Sequence, residues 1–400
     1  MPEPLELQVG AQTWTAQVPS HKAVTLQQEA VPPAAVGGPR EVVRAALEAP
    51  FGFEPLRRAL TPDDRIAIVL DPDLPHVTEL LAGVLDHLAT AGIGPAAVTV
   101  VASPGARQDW VASLLADFAA VTVEIHDPAD RAKLSYLGST QSEQRVYLNR
   151  TVVEADFVIV LTGRRYDPVR SYTGAQVAVY PDLADEAIRK ANAGPYTRQS
   201  PWPGREESHE VAWMLGSPFL VQVIEDTGDG ICEVVAGLLP SEEEGRRRQD
   251  ARWKATVADR AKLVIATVSG PPSRVTFAHL ARAASCAARV VEEGGRVVVL
   301  SDAAPTLGEG AEALRMLDGP RAAASLLRRG KPADWAACKQ WCFAARSASL
   351  FLASGYPDEV VEELYATALH TPAELQRLID AAESVLIIPD AHKAKVSVEG

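Results

Sequence analysis

The sequence has few cysteines, fewer basic than acidic residues, and no long apolar run. Its 400 residues include four cysteines, too few for a disulfide framework. The excess of acids gives a formal net charge of −13. This balance excludes nucleic acid and an anionic membrane surface as main partners, because phosphate binding needs clustered cations. No apolar run approaches the ~20 residues that span a bilayer. The start, Met1 to Glu6, lacks signal-peptide features, so we expect a cytoplasmic protein with reduced thiols.

Several motifs that would indicate a specific chemistry are also absent. There is no Gly-x-Gly-x-x-Gly after the first α/β strand, no Walker A motif, no His-Glu-x-x-His and no Gly-x-Ser-x-Gly. Cys338 and Cys342 share a predicted helix face, but without two further ligands they do not indicate a zinc site. The run from Glu242 to Arg248 places acids before bases, as expected at the solvated start of a helix. Nothing here supports a nucleotide-binding or hydrolase function.

Short apolar strands alternate with amphipathic helices along most of the chain, which predicts parallel βαβ units. An N-terminal hairpin is predicted over 5–18, and a long helix over 241–259. The other strands are predicted at 65–70, 97–102, 121–125, 145–149, 155–161, 219–224, 231–236, 262–268, 295–300, 349–352 and 384–388. We therefore expect an α/β fold of two α/β domains, residues 1–245 and 246–400, with mostly parallel sheets flanked by helices.

The segment Tyr172-Thr-Gly174-Ala-Gln-Val177 is more informative than any other part of the chain. It follows a predicted strand and precedes Pro181. A strand, then Tyr-[Ser/Thr]-Gly, a small-residue turn and a proline resembles the nickel-pincer lactate racemase family. Element order extends the resemblance over roughly residues 15–390. It implies a lactate racemase-like fold with a ligand cleft between the two domains, lined in part by Tyr172 and Gly174.

The resemblance also implies a cofactor for which this sequence lacks the attachment residue. In the family, a lysine in this loop anchors a nicotinate-derived nickel cofactor, and the matching residue here is Val177, which has no amine. The family's nickel-binding histidine falls near Ala193, and no histidine lies between His126 and His209. We therefore expect no nickel-pincer cofactor and no bound metal ion.

Two earlier loops match the family in part. Asp71 and Pro75 match its first loop, but Leu74 replaces the arginine that holds a substrate carboxylate in the family. Asp71 therefore either lines the ligand site or accepts backbone N–H groups in a turn or helix cap. In the second loop, Ala106 stands at the position of one of the family's two acid/base histidines, and Arg107 is retained as a ligand-binding candidate.

The third loop is rich in arginine. The second acid/base histidine of the family falls at Asp167, or at Tyr166 if the alignment shifts by one residue. Asp167 is thus a candidate catalytic base, although an unperturbed aspartate, with a pKa of about 3.9, is a weak one. Arg164, Arg165 and Arg170 either form an anion pocket around it or belong to a salt-bridged surface loop.

The fourth loop leads into the first helix of the second α/β unit. It resembles the family's Gly-Gly-x-Pro turn, which is followed by a helix with Gln and, three residues later, Lys. Here these positions are His279 and Arg282, whose spacing places both on one helix face, where both can donate to an oxyanion. We predict His279 as a catalytic residue and Arg282 as a ligand-binding residue. The alternative for His279 is a structural role.

These substitutions leave two functional hypotheses. In the first, a lactate racemase-like protein has lost the cofactor anchor and the acid/base histidines, and binds a small organic anion, a carboxylate or phosphate, in the interdomain cleft without racemase activity. In the second, the protein is an active racemase or epimerase of a 2-hydroxy acid with a divergent site, to which Lys190 or Lys254 could contribute. Because ligands bind beyond the carboxyl ends of parallel strands, both hypotheses place the site in loops 71–76, 102–107, 162–176 and 269–279.

Overall fold

The computed structural model describes residues 3–9, 12–19, 23–25, 37–105, 107–167, 170–192, 202, 204–323 and 332–399. The chain forms two compact units. The N-terminal unit comprises Val31–Asp226 and Gly230–Asp250. The C-terminal unit comprises Met1–Ala30, Thr227–Asp229 and Ala251–Gly400.

The described strands and helices alternate over most of both units. The strands are β1 (Glu3–Val9), β2 (Gln12–Val18), β3 (Ala23–Thr25), β4 (Ile66–Leu70), β5 (Val98–Ala102), β6 (Thr122–Ile125), β7 (Leu134–Ser139), β8 (Arg145–Asn149), β9 (Phe157–Gly163), β10 (Tyr166–Asp167), β11 (Ser171–Tyr172), β12 (Phe219–Glu225), β13 (Ile231–Gly237), β14 (Lys254–Val257), β15 (Ala261–Thr267), β16 (Val291–Leu300), β17 (Ser349–Ala353), β18 (Thr367–Ala368), β19 (Val385–Ile388) and β20 (Lys395–Val398). The α-helices with described bounds are α1 (Pro39–Glu48), α2 (Val77–Ala89), α3 (Val111–Asp117), α4 (Arg150–Glu154), α5 (Glu186–Asn192), α6 (Gly204–Met214), α7 (Ser241–Trp253), α8 (Phe277–Ala288), α9 (Glu309–Arg315), α10 (Trp335–Ser347), α11 (Asp358–Glu363) and α12 (Pro372–Asp380). None of these helices is long and apolar enough to cross a membrane.

The N-terminal unit is built on a six-stranded sheet in the order β13-β12-β9-β4-β5-β6. All neighbours are parallel except the β12–β13 hairpin. Alternate residues of β4 pack into two different cores, with Ile66 and Ile68 on one face and Ala67 and Val69 on the other. Both faces of the sheet are thus covered, as expected for a parallel sheet whose strands are apolar throughout.

The C-terminal unit has its own six-stranded sheet, in the order β18-β17-β16-β15-β19-β3, with all neighbours parallel. Its central strands supply a separate apolar core that includes Leu263, Ile265 and Val298. The prediction of two α/β units with mostly parallel sheets flanked by helices is therefore confirmed.

The N-terminal segment belongs to the C-terminal unit, which differs from the predicted division at residues 1–245 and 246–400. The hairpin β1–β2 forms as predicted, but its apolar face, including Trp14 and Val18, packs in the same core as Leu263. In addition, β3 pairs with β19 at the sheet edge. These contacts join residues from opposite ends of the chain, so no local pattern could reveal them.

The long helix predicted over 241–259 is shorter in the structure. It ends at Trp253, and Lys254–Val257 forms the strand β14, which pairs in parallel with β20 near the end of the chain. The segment alternates in exposure and includes β-branched residues that favour strands. Its pairing partner is remote in sequence, so the local pattern does not reveal the strand.

Candidate functional site

The carboxyl ends of β4 and β9 form the switch point of the N-terminal sheet. The chain leaves β4 toward β5 on one side, while β9 lies on the other side of β4. Loops diverge at such a point, and ligands of open α/β sheets bind there. Asp71 follows β4 directly, and Arg164 and Arg165 follow β9. The sequence-predicted loops that begin at this edge are 71–76, 102–107 and 162–176.

Arg165 is held by two carboxylates. Its Nη1 donates to Asp71 and its Nε donates to Glu225, while its Nη2 donates to the carbonyl oxygen of Asp73 at 3.1 Å. Burial alone lowers the pKa of Arg165, but the nearby carboxylates outweigh this effect and raise the pKa above its ordinary value. Every nitrogen of this guanidinium has a protein acceptor, so Arg165 ties the ends of three strands together.

Asp71 also binds backbone N–H groups. Its Oδ1 accepts the N–H of Asp73 at 2.9 Å, and its Oδ2 accepts the N–H of Gly163 at 3.2 Å. These are the contacts of the turn alternative that the sequence left open. Leu74, at the position of the family's carboxylate-binding arginine, is buried with 1% exposure. This loop therefore presents Asp71 to Arg165 and an apolar side chain to the core.

Arg164 is more deeply buried than Arg165 but only partly paired. Its side chain is 1% exposed, and its Nη1 donates to the carbonyl oxygen of Thr173 at 3.2 Å. The guanidinium lies over the ring of Tyr172, 5.6 Å from the ring centre. Its Nη2 is 3.7 Å from Glu242 Oε1, too far for a hydrogen bond. Within the described residues, Nε and Nη2 of Arg164 have no hydrogen-bond acceptor.

The surroundings lower the pKa of Arg164, whereas they raise the pKa of Arg165. Burial lowers the pKa of Arg164, and the carboxylate of Glu242 opposes this effect only in part. A guanidinium stays charged even with a lowered pKa, because its ordinary value is far above neutral. Among the described residues, the buried positive charge of Arg164 therefore keeps two nitrogens without a hydrogen-bond acceptor.

The carboxylate of Glu242 is held by two other side chains. Gln176 Nε2 donates to Glu242 Oε2 at 2.8 Å, and His209 Nε2 lies 2.7 Å from the same oxygen. Burial would raise the pKa of Glu242, but His209, Arg164 and Gln176 together lower it, so the group is ionised at neutral pH. Gln176 is fully buried, and its Oε1 has no partner in the described part of the chain.

The sequence pattern did not identify Gln176, His209 or Glu242 as site residues. The order of acids before bases predicts that Glu242 lies at a solvated helix start; α7 does begin at Ser241, but the side chain of Glu242 is only 15% exposed. His209 lies on α6, and no local spacing connects the two helices. Only Gln176 carried a usable signal, because it lies inside the family-like segment.

The loop that carries the family-like segment is fixed by close packing. Gly174 has φ +80° and ψ −169°, and an added Cβ would lie 2.4 Å from the carbonyl oxygen of Gly163, so only glycine fits there. The hydroxyl of Tyr172 donates to Asp250 at 2.7 Å, and burial raises the pKa of Tyr172. Val177 is 7% exposed and offers only methyl groups. The residue at the family's anchor position therefore does not fit attachment of a nickel-pincer cofactor.

Three further predicted residues of this unit have local partners. Asp167 Oδ1 accepts the N–H of Arg170 at 2.6 Å, and Arg170 pairs with Asp182 at 2.9 Å. Arg107 pairs with Asp109. Arg107 thus lies in the loop after β5, at the same sheet edge as Arg164, while its charge is matched by a neighbour.

Only some of the metal-binding and acid/base positions implied by the resemblance lie among the described residues. Ala106 and Ala193 lie outside the described residues. Inside the described ranges, no three or more His, Cys, Asp or Glu side chains are grouped as metal ligands. Lys190 forms an exposed ion pair with Glu186 at 2.7 Å, and Lys254 is exposed at the start of β14. The side chains of the described residues thus show no ligand set for a divalent ion.

In the C-terminal unit, His279 and Arg282 lie on α8, which follows the switch point between β15 and β19. His279 caps this helix, since its Nδ1 accepts the N–H of Thr276 at 3.1 Å. Its ring centre is 5.1 Å from that of His392. Arg282 is half-buried one turn later. One ring nitrogen of His279 therefore has the structural role that the sequence left as an alternative.

Comparison with known proteins agrees with this architecture. Residues 9–194 match the family model described as the lactate racemase N-terminal domain. The fold is similar to that of the lactate racemase apoprotein from Thermoanaerobacterium thermosaccharolyticum, with a TM-score of 0.76 and 16% identity over 98% of this chain and 100% of that one. It is also similar to a protein from Thermotoga maritima, with a TM-score of 0.63 and 12% identity over 91% of this chain and 99% of the other. No curated protein matches the sequence. The chain therefore matches the lactate racemase N-terminal domain over residues 9–194 and has a lactate racemase-like fold.

Proposed function

We propose that this protein binds a small organic anion, a carboxylate or a phosphate, at Arg164 and lacks the racemase chemistry of its family. One observation carries the proposal. The guanidinium of Arg164 is buried, yet two of its nitrogens have no acceptor among the described residues. A buried donor without an acceptor, and above all a buried charge, costs folding free energy, and an anion would satisfy both.

The two nitrogens define the geometry of the expected ligand. Nε and Nη2 form one side of the planar guanidinium, and this fork matches the two oxygens of a carboxylate or two oxygens of a phosphate. The position of Arg164 directly after β9, at the switch point of the sheet, is where open α/β sheets bind ligands. Arg107 is a candidate for a second contact at the same edge. Arg165 and Asp71, which are matched to each other, form the framework of the site.

The proposal assigns no racemase activity because four positions that carry the family's chemistry differ here. Val177 replaces the cofactor anchor, the metal ligand falls near Ala193, and the two acid/base histidines fall at Ala106 and at Asp167 or Tyr166. Racemisation at a carbon needs a proton acceptor on each face of the substrate. Of the two positions that the resemblance assigns to this role, only Asp167 keeps an ionisable side chain. Separately, His279 and Arg282 are proposed as ligand contacts within the C-terminal unit.

A direct test of the missing chemistry uses intact-mass spectrometry. The protein is co-expressed with a working pathway for nickel-pincer synthesis, purified, weighed and assayed for nickel and for interconversion of D- and L-lactate. We expect the unmodified mass, no stoichiometric nickel and no interconversion. A covalent nicotinate-derived adduct, bound nickel or racemisation of lactate would instead support the alternative, an active racemase or epimerase of a 2-hydroxy acid.

The binding part of the proposal is tested by thermal unfolding in the presence of lactate, malate, sulfate and inorganic phosphate, with neutral lactamide as the control. A ligand that binds only the folded state raises the melting temperature in proportion to its occupancy. We expect at least one of the anions to stabilise the protein and lactamide to leave it unchanged. If no anion raises the melting temperature, the proposed binding is contradicted.

A further inference from the structure

We propose that a cavity beside α1 and α2 of the N-terminal unit binds a small zwitterion of the α-amino acid class. The cavity has a volume of about 380 Å³, toward the lower end of the roughly 300–1,000 Å³ usual for small-molecule sites. Its polar lining consists of Glu41, Arg44, Glu48, Arg57, His87 and Thr90. The contacts described for Arg164 involve other residues, so the proposal does not depend on anion binding there.

His87 is the buried polar side chain of this cavity, with 3% exposure. Its Nε2 accepts the backbone N–H of Arg57 at 3.2 Å, and among the described residues this is the only hydrogen bond of the ring. Burial lowers the pKa of His87, Arg57 and Arg44 lower it further, and Glu48 opposes them only in part, so the ring is neutral at pH 7. A neutral imidazole with an accepting Nε2 carries its proton on Nδ1. His87 therefore offers one N–H donor to a ligand.

Two ion pairs at the cavity match their own charges. Arg57 donates to both carboxylate oxygens of Glu48, through Nε at 3.2 and 3.0 Å and through Nη2 at 2.8 Å. On α1, Arg40 donates to both oxygens of Asp86 on α2 at 2.6 and 2.8 Å. These bidentate pairs join α1 to its neighbours and hold the walls of the cavity. Neither pair leaves a charge that a ligand has to match.

The other two charges of the lining, Glu41 and Arg44, have no ion-pair partner among the described residues. Glu41 lies in the first turn of α1, and Arg44 follows three residues later, so both are on one helix face. The charge of Arg44 acts on His87. Thr90 donates its hydroxyl proton to the carbonyl oxygen of His87 at 2.6 Å and keeps its oxygen as an acceptor. The cavity thus presents one unmatched positive and one unmatched negative charge.

These groups match a carboxylate and an ammonium on one small molecule. The carboxylate accepts hydrogen bonds from Arg44 and from Nδ1 of His87, and the ammonium donates to Glu41. A simple anion leaves Glu41 unmatched and is repelled by it, and a simple cation is repelled by Arg44 in the same way. The side chains of Glu48 and Arg57 are 48% and 37% exposed. The cavity therefore opens to solvent, and a ligand enters it without displacing the core.

The first experiment measures thermal unfolding with each of the twenty common L-amino acids. The amino acid that raises the melting temperature most is then compared by calorimetry with its two halves, the acid that lacks the amino group and the amine that lacks the carboxylate. We expect the amino acid to bind at least about tenfold more tightly than either half. If no amino acid raises the melting temperature, or if either half binds as tightly as the whole molecule, the proposal is wrong.

Variants of the two unmatched charges locate the ligand. Arg44→Met should weaken amino-acid binding by about tenfold or more. Glu41→Gln should weaken it too, while affinity for the acid without an amino group should stay the same or rise. The matched control is Arg58→Met, because Arg58 is exposed, adjacent to Arg57 and outside the lining. Equal affinities in Arg44→Met and Arg58→Met would contradict binding in this cavity.

Two variants of His87 separate its contact with the ligand from its contact with Arg57. His87→Gln places an amide oxygen near the position of Nε2, where it can accept the N–H of Arg57, but it has no donor at the position of Nδ1. His87→Asn places an amide N–H near Nδ1 and loses the acceptor. The Gln variant should therefore melt higher, whereas the Asn variant should bind the amino acid more tightly. Tighter binding by the Gln variant would contradict donation by Nδ1. Glu41 and Arg44 are exposed, so their variants still decide the proposal if neither His87 variant folds.

Discussion

Two arginines that follow each other in the sequence occupy opposite environments. Arg165 donates to two carboxylates and a carbonyl oxygen, and its pKa is raised despite burial. Arg164 is more deeply buried, at 1% against 17% side-chain exposure, and burial lowers its pKa. The alternation of β9 explains the contrast, since Leu161 packs in one core and Val160 in the other. The two arginines continue this alternation toward different partners.

The contrast separates a structural charge from one available to a ligand. A buried guanidinium with every nitrogen satisfied stabilises the elements that it joins, and a ligand could bind it only by breaking those contacts. A buried guanidinium with open donors carries a desolvation cost that folding does not recover. An anion that fills those donors recovers part of that cost on binding. The pairing of each arginine, and not its charge alone, indicates which of the two contacts a ligand.

The largest expected effect is on stability at the paired arginine. Arg165→Met leaves Asp71 and Glu225 close together without their shared cation, so we expect the N-terminal unit to lose about 3–5 kcal/mol of unfolding free energy. Urea denaturation measures this loss. The control is Arg65→Met, because Arg65 is 66% exposed and pairs with an exposed partner, Asp156. The control variant should unfold close to the wild-type urea concentration.

The same substitution at the neighbouring position sharpens the comparison. Arg164→Met removes a buried charge together with its desolvation cost, so it should change the unfolding free energy far less than Arg165→Met. Equal losses in the two variants would show that Arg164 is as fully paired as Arg165 and would contradict the contrast between them.

The next largest expected effect is a loss of stability at Gly174, in the loop that places Gln176 beside Glu242. In Gly174→Ala, a side chain is forced into a φ/ψ region that only glycine adopts, and its Cβ meets the carbonyl oxygen of Gly163. We expect a loss of roughly 2–4 kcal/mol of unfolding free energy. Gly52→Ala separates the two causes, since Gly52 has φ +63° but open space around its Cβ position, and it should lose only about 1–2 kcal/mol. Equal losses at both glycines would exclude the close contact as a cause.

The smallest expected effect is in the C-terminal unit. If Arg282 contacts an anion, Arg282→Ala removes a charge-assisted hydrogen bond worth ~1.5–3 kcal/mol, or about ten- to a hundredfold in affinity. Calorimetry with the best anion from the thermal screen measures it. Unchanged affinity would assign Arg282 a structural role on α8.

Most of the fold could be predicted from the sequence because its parallel strands are buried on both faces. Continuous apolar runs such as Ile66–Leu70 and Phe157–Gly163 identify such strands directly, and the helices between them show clear amphipathic patterns. The exceptions are segments whose partners are remote in sequence. The hairpin β1–β2 and the strand β14 are recognisable or explicable locally, but the unit to which each belongs depends on long-range pairing.

The candidate site was predictable only in part. Strand ends identified the loops that carry Asp71, Arg164 and Arg165. The sequence could not show which of the two adjacent arginines is fully paired, because their acceptors come from other elements of the fold. It also gave no sign that Glu242 and His209 meet, since their helices are separate elements and each residue alone resembles an ordinary surface group.

The most direct test is the affinity of Arg164→Met for lactate, measured by calorimetry beside the wild type and Arg107→Met. Loss of the bidentate contact should weaken binding by about ten- to a hundredfold or more, while Arg107→Met should have a smaller effect because Arg107 is already paired with Asp109. Wild-type affinity in a folded Arg164→Met variant would contradict the assignment of Arg164 as the anion-binding residue.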